Sequence, residues 1–299
     1  MNEGFFPQFQ FSEAAVRLTV FLAVFTAMAV WEIAAPRRRL AAAKASRWFA
    51  NLCITVINTL LVRLIFVILP VSVSIMARAK GWGLLNMFDM PSWITIVAGV
   101  ILLDLVMYLQ HVMFHIMPPL WRLHLVHHTD IDTDVTTGLR FHSFEIIIST
   151  AIRITAVSVI GPHPLAVVIF DIILSSAVMF NHGNVRIPGR GDRALRFAVV
   201  TPDMHRVHHS VNVWETASNF GFILSWWDRV FSTYRAQPAA GHDEMKIGLA
   251  RYRDPNELSL YRLLILPVTA DPGGYDISGL RREPDNKVES VKSKVERKK

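Results

Sequence analysis

Eight histidines of this 299-residue chain fall into three clusters: HVMFH at 111–115, HLVHH at 124–128 and HRVHH at 205–209. The spacing within each is i, i+3 or i+4. On an α-helix this sets His111 with His115, His124 with His127 and His128, and His205 with His208 and His209 along one stripe per helix. Any fold of this chain has to bring three such stripes together. A structural zinc ion is satisfied by four ligands, and imidazole serves Fe, Zn, Cu and Ni alike. Eight clustered imidazoles therefore point to two metal ions. Scattered core or solvated histidines would not be expected to repeat HxxHH twice in a chain with only 12 His.

The setting of these clusters is apolar. With 52% hydrophobic and only 18% charged residues and a mean hydropathy of +0.34, the chain is too apolar for an average soluble domain of its length. Residues 14–35, 52–77 and 93–110 approach or exceed the roughly 20 residues that cross a bilayer. Two further runs, 144–160 and 164–181, are separated by Gly161, Pro162 and Pro164 and read as a helical hairpin entering and leaving on one side. The expected fold is an all-α integral membrane protein of four to five apolar helices, three spans plus the hairpin, under a cytoplasmic helical cap that holds the metals. The first ten residues carry no Lys or Arg, and the first apolar run reaches Pro36 without a convincing cleavage site, so the first helix is expected to be retained.

Charge sets the orientation. Arg37, Arg38, Arg39, Lys44 and Arg47 follow the first span, whereas Arg17 alone precedes it against Glu3 and Glu13, which assigns the 36–50 loop to the cytoplasm. Counting spans then puts all three clusters, and the C-terminus, on that side. A bacterial inner membrane is the expected location. The net charge of +7 lies largely in this loop and in the tail, where anionic lipid headgroups account for it, and no nucleic-acid motif appears. The single cysteine, Cys53, excludes an intrachain disulfide and a four-thiolate iron–sulfur cluster and reads as a packing residue.

Three units are expected: a catalytic membrane domain 1–237 with its motif core at 95–237, a peripheral extension 238–280, and a charged, disordered tail 281–299. Pro118 and Pro119 part HVMFH from HLVHH into two helices. Thr201 and Pro202 read as the N-cap and first turn of the helix carrying HRVHH. Asp104 and Tyr108 share a helix face with His111 and His115, where a carboxylate can accept the second N–H of a metal-bound imidazole. Arg153 and Asp171 each lie nine residues from Pro162 and are expected to pair across the hairpin. Arg63 has no obvious partner and is expected to face a polar cavity. Trp121, Trp226 and Trp227 fit either an interfacial belt or core packing. His163, in the hairpin turn, and His242, in a polar loop, are read as non-catalytic.

Five ordered motifs, LDLVMYLQHVMFH, WRLHLVHHTD, GLRFHSFE, TPDMHRVHHS and SNFGFILSWWDRVFSTY, resemble the fatty acid hydroxylase and sterol desaturase superfamily of integral-membrane di-iron enzymes. The resemblance covers residues 95 to 237. It implies that His111, His115, His124, His127, His128, His205, His208 and His209 hold two irons, with His182 of FNHGN as a further ligand. His142 and Glu145 of RFHSFE, Asn181, Asp104 and Tyr108 are expected as further ligands or as groups supporting them. Arg186 stands where some relatives carry another histidine. The implied chemistry is O2-dependent hydroxylation or desaturation of an unactivated C–H bond in a lipid such as a fatty acyl chain, sterol or isoprenoid.

A lipid substrate entering from the bilayer is expected, with the hairpin 144–181 as the wall of its route. Electrons must come from outside, because the chain has no dinucleotide fingerprint, no cysteine cluster and no recognisable haem domain. A separate ferredoxin or cytochrome-type donor with its reductase is implied, and Arg186, Arg190, Arg193 and Arg196 offer a basic face for it. Two rival readings are a membrane zinc hydrolase with a metal-bound hydroxide and a non-catalytic metal-binding membrane protein. Zinc hydrolases use about three protein ligands per ion and often include carboxylates, which an all-histidine supply does not match.

Overall fold

In a computed structural model, which describes residues 5–254 and 258–270, the chain is all-helical; the described residues form no sheet, only isolated antiparallel bridges such as Pro36 with Val185. The long helices are α1 (Phe5–Ala34), α2 (Lys44–Ile65), α3 (Pro70–Lys80), α4 (Ser92–Ile116), α5 (Pro118–His128), α6 (Ser143–Ile160) and α7 (Pro164–His182). Short helices α8 (Gly189–Leu195), α9 (Pro202–His208), α10 (Val213–Thr216), α11 (Trp226–Val230) and α12 (Gly241–Glu244) follow, and then α13 (Leu260–Thr269). Five segments are long and apolar enough to cross a membrane: Glu13–Ala34, Lys44–Met87, Ser92–Ile116, Ser143–Ile160 and Pro164–His182. The hairpin helices α6 and α7 run about 27 and 28 Å at 1.5 Å per residue, close to the thickness of the hydrocarbon layer. The charged tail expected at 281–299 lies outside the described residues.

One expectation needs correcting. The apolar run 52–77 is not one helix but two, α2 and α3, with a break at 66–69. Pro70 opens α3 at its first turn; proline has no N–H to give the preceding turn and disfavours helical geometry in the residue before it. The break turns α3 under the hairpin. Ser74 Oγ donates to the Pro162 carbonyl at 2.6 Å, and the loop after α3 passes so close to the hairpin tip that a Cβ on Gly83 would lie 2.4 Å from the Gly161 nitrogen. Both glycines have positive φ, 88° and 63°, which side-chain-bearing residues rarely adopt. These contacts fix the far end of the bundle. All three histidine clusters sit at the other end.

Side chains of α2 hold that other end together. Arg47, Asn51, Thr55 and Asn58 follow one helix face and bond the loop between α5 and α6. Arg47 reaches Asp130 at 2.7 Å and Asp134 at 2.8 Å, Asn51 donates to Thr136 Oγ1, Thr55 to the Leu139 carbonyl and Asn58 to the Phe141 carbonyl. From α1, Glu32 accepts the backbone N–H groups of Val135 and Asn184. A buried irregular loop carries backbone groups that must find partners, and here side chains supply them. Burial alone would push the Asp130 carboxyl up, but the Arg47 and Arg140 guanidiniums outweigh it and hold it at about 2.

Apolar packing completes the body. Leu103 and Met107 of α4 meet Val157 of α6 and Phe170 of α7 in one core. In a second, Ala50 and Ile54 of α2 meet Trp121 and Leu125 of α5 and Leu263 and Leu266 of α13. Arg122 ties α13 down by donating to the Ala270 carbonyl at 2.8 Å. The stretch read as a peripheral extension thus supplies core side chains, because one face of α13 is apolar. The expected hairpin pair is present, Arg153 to Asp171 at 2.8 Å, and Arg17 of α1 joins it at 2.7 Å. Arg63, expected at a polar cavity, is exposed.

Replacing Arg47 with Ala strands two buried carboxylates, which costs about 3–5 kcal/mol where one partner of a buried pair is removed. Thermal unfolding of purified Arg47→Ala in detergent should show a large drop in Tm, and an unchanged Tm would refute this role.

Candidate metal centre

The nine histidines come from four helices. Helix α4 contributes His111 and His115, α5 contributes His124, His127 and His128, α7 ends in His182, and α9 carries His205 and His208 with His209 at its C-cap. Local sequence explains the placement. Thr201 caps α9 by accepting the Met204 N–H and Pro202 opens it, as expected, while Pro118 starts α5 immediately after α4 ends. None of the nine is more than 2% exposed.

They separate into two groups that can each hold a metal ion: His111, His115, His124, His128 and His208, and His127, His182, His205 and His209. Within each group the candidate ligand atoms lie within 4.8 Å of one another. Helix geometry explains the division. An i, i+4 pair is separated by 40° around the axis and i+3 falls on the other side of the stripe, so 111/115, 124/128 and 205/209 each serve one group, while His127 and His208 serve the neighbouring one.

Five of the rings are oriented by an oxygen at Nδ1: the carbonyls of Phe220 for His111 at 2.8 Å, Arg140 for His127 at 3.2 Å, Val178 for His182 at 2.7 Å and Ser218 for His208 at 2.8 Å, and Glu145 for His124 at 2.7 Å. Each carbonyl requires the proton on Nδ1, and the Glu145 carboxylate, when ionised, accepts it from His124, which leaves the Nε2 lone pair facing inward. His182 Nε2 lies 3.0 Å from that of His127 and 3.1 Å from those of His205 and His209, and His111 and His124 face each other at 3.1 Å. Where both Nε2 atoms are bare, as for His182 with His127 and His111 with His124, the approach is repulsive unless a cation lies between them. Nitrogens bound at ~2.1 Å in neighbouring positions of one ion are about 3.0 Å apart. Seven further buried ring nitrogens have no hydrogen-bond partner, both of His115, both of His128, Nδ1 of His205 and His209, and Nε2 of His208. The residues present therefore fit two metal ions.

Burial first, and neighbouring imidazoles next, hold His127, His128, His205 and His209 well below the ordinary imidazole range; burial and the rings of His111 and His124 do the same for His208. Burial lowers His124 to about 3. The rings are neutral at pH 7, the form that binds metal. Aromatic side chains seal the site: Phe141 stacks on His127 with centroids 4.4 Å apart, and Phe222 lies 4.8 Å from His111.

Several expected participants stand elsewhere. Asp104 reaches no imidazole; its oxygens accept the N–H groups of Ile223 and Leu224 and the indole N–H of Trp227. Tyr108 bonds Thr233. Asn181 donates to the Phe222 carbonyl at 2.6 Å. These three hold the 219–233 loop: Asp104 and Tyr108 because the face of α4 one or two turns below its histidines meets that loop instead of the rings, and Asn181 because it points from α7 to a different side than the adjacent His182. His142 caps α6 and its Nε2 contacts the Leu264 carbonyl. Glu145 alone of these five touches a cluster histidine. Trp121 is fully buried against His115 and His128, so of the three tryptophans only Trp226 is exposed. Arg186, Arg190 and Arg193 are exposed, but Arg196 is buried on Asp192. His163 caps α7. His242 is not in an open loop: it is buried on α12, 3.8 Å from Asp203.

Asp228 is the residue that sequence reading passed over. It accepts the N–H groups of Phe220 and Gly221 and the Thr233 hydroxyl, and so sets the Phe220 carbonyl on His111. Its sequence signal is its place beside two tryptophans in the motif SNFGFILSWWDRVFSTY.

Residues 96–233, which contain all nine histidines, match the family model described as fatty acid hydroxylase. The matched segment carries the same ordered motifs that resemble the fatty acid hydroxylase and sterol desaturase superfamily. It is 27% identical over 158 residues to ornithine lipid hydroxylase OlsE of Rhizobium tropici, covering 52% of this chain and 46% of that protein. It is 26% identical over 166 residues to alkylglycerol monooxygenase of Homo sapiens, covering 52% and 34%. The match thus spans less than half the length of these relatives. No solved structure matches the chain.

Two outcomes test the centre. Glu145→Gln should weaken metal at the five-histidine group by 10–100-fold and leave the four-histidine group loaded, seen as two separated steps in a metal titration. Metal-free protein should lose stability in acid. Below pH ~6.5 the unfolded imidazoles take up protons that the folded ones refuse, which costs about 1.4 kcal/mol per pH unit for each ring until its folded value is reached. The Tm of chelator-treated protein should fall steeply from pH 7.5 to 5.5; a flat profile would contradict neutral, buried rings.

Proposed function

We propose that this protein is a membrane-bound di-iron oxidoreductase that uses O2 to hydroxylate or desaturate a C–H bond of a lipid. The carrying observation is the convergence of nine buried imidazoles in groups of five and four beside a cavity lined by His111 and His124. Five histidines in one group exceed the four of a tetrahedral zinc site, and all-imidazole donors suit iron among the redox metals. His111, His115, His124, His128 and His208 would hold one iron, and His127, His182, His205 and His209 the other. Bound iron supplies the O2-activating chemistry, which no side chain of this protein can perform.

The chain's own groups do the remaining work. Backbone carbonyls and Glu145 fix ring orientation, so Nε2 lone pairs are preorganised. Phe141, Phe220 and Phe222 exclude water from the rings. The cavity, about 160 Å³ and bordered by α4, α6 and α7, positions a substrate segment against the His111 and His124 end. The membrane spans let a lipid arrive without crossing water.

Electrons come from a separate ferredoxin or cytochrome-type donor, and exposed Arg186, Arg190 and Arg193 offer it a basic face. The basic 36–50 loop supports a cytoplasmic side for the histidine end, with the protein in a bacterial inner membrane. The catalytic domain is 1–237 in this reading. The relatives' names, an ornithine lipid hydroxylase and alkylglycerol monooxygenases, support a lipid substrate.

Protein grown with enriched iron and purified without added metal should contain about two irons per chain with a coupled Mössbauer signal. Membranes supplied with 18O2 and reductant should yield lipid labelled with one 18O if the reaction is hydroxylation, or an additional double bond if it is desaturation. Stoichiometric zinc that iron cannot replace, with no oxidised lipid, would overturn the proposal and favour hydrolysis.

A further inference from the structure

The cavity beside the metal centre is polar along one wall, and nothing in an all-hydrocarbon substrate calls for that. Glu145, Ser149 and Arg153 succeed one another at i+4 on α6, and all three line it. From α4, Gln110 faces them and donates to Ser149 Oγ at 3.0 Å. Gln110 is 7% exposed, yet its Oε1 has no hydrogen-bond partner, and the same holds for buried Glu145 Oε2 and for Nε of Arg153. Unpaired polar groups inside a membrane protein are costly. An apolar ligand leaves that cost in place, whereas a ligand with its own polar group removes it.

Size limits what enters. A cavity of about 150 Å³ takes a molecule the size of benzene, so about 160 Å³ accepts a segment of roughly six non-hydrogen atoms rather than a whole lipid. His111 and His124 border the same small space, so a group bonded to the polar wall is only a few bonds from the carbon presented to the metal end. A hydroxyl matches the chemistry of the wall, because it can donate to an acceptor such as Gln110 Oε1 and accept from a donor such as Arg153 Nε. It also satisfies the amide in either orientation.

Resting on the lipid-oxidation reading, we infer that Gln110, Ser149 and Arg153 form a specificity subsite for a hydroxyl-bearing lipid segment, and that oxidation falls within a few bonds of that hydroxyl. Gln110 and Ser149 are specificity residues and carry no metal.

The test measures binding of radiolabelled hexadecane-1,2-diol and n-hexadecane to the full-length, metal-loaded protein in detergent, with metal content read on the same samples. Wild type should bind the diol at least tenfold more tightly than the alkane. Gln110→Leu and Ser149→Ala should each lower diol affinity about tenfold, with alkane affinity and metal per chain unchanged. Should Gln110→Leu lose its metal through misfolding, the smaller change Ser149→Ala decides. Equal binding of the two probes by wild type, or a diol preference untouched in the variants, overturns the subsite. Oxygen transfer from 18O2 is scored separately. Diol binding without any oxidised product would sink the oxidase reading and leave the subsite standing, and equal oxidation of both probes would do the reverse.

Discussion

Everything at one end of this protein is arranged so that neutral imidazole nitrogens can face one another at about 3 Å without water. Lone pairs at that distance repel, and nine buried rings would each take a proton in solution near their ordinary range. The fold resists both effects. Carbonyl oxygens and one carboxylate pin the Nδ1 protons outward, and burial keeps the inward face unprotonated. The result is a site whose energy is relieved by a cation, so metal binding and folding are coupled.

That constraint explains the unusual polar interior around it. Arg47 of α2 is buried with Asp130, Asp134 and Arg140 of the loop between α5 and α6, and Arg140 presents its carbonyl to His127. Asp104 and Asp228 do the same for the 219–233 loop on the other side, which presents Phe220 to His111. Buried ion pairs contribute little net stability against an apolar alternative. Here their use is geometric: they hold carbonyls at fixed positions where a packed apolar loop would have no directional hold.

Much of this was legible in the residues. Helical spacing gave each histidine stripe, the apolar runs gave the spans, and equal distances from Pro162 paired Arg153 with Asp171 across the hairpin. Where sequence reading failed, the reason was that a helix face has several neighbours along its length. Asp104 shares the face of His111 and His115, yet it lies two turns below them and meets a loop from 120 residues away. Pro70 broke a run whose hydropathy is continuous, because hydropathy does not register a missing N–H. For Trp121 the residues left an interfacial belt and core packing open, and the structure decides for packing, over His115 and His128.

The sequence by itself determined which residues could be ligands, that there were enough for two metals, and that they gathered at or just past one end of the spans. Those properties are local, set by helical periodicity and by transfer of apolar side chains out of water. Only the tertiary structure decided which five imidazoles meet and which four, that Glu145 orients His124 while Asp104 and Asp228 act through a loop, and that α6 turns a polar wall toward the metals. Each depends on the rotation and depth of one helix against another, which packing of the whole bundle sets and no single segment encodes.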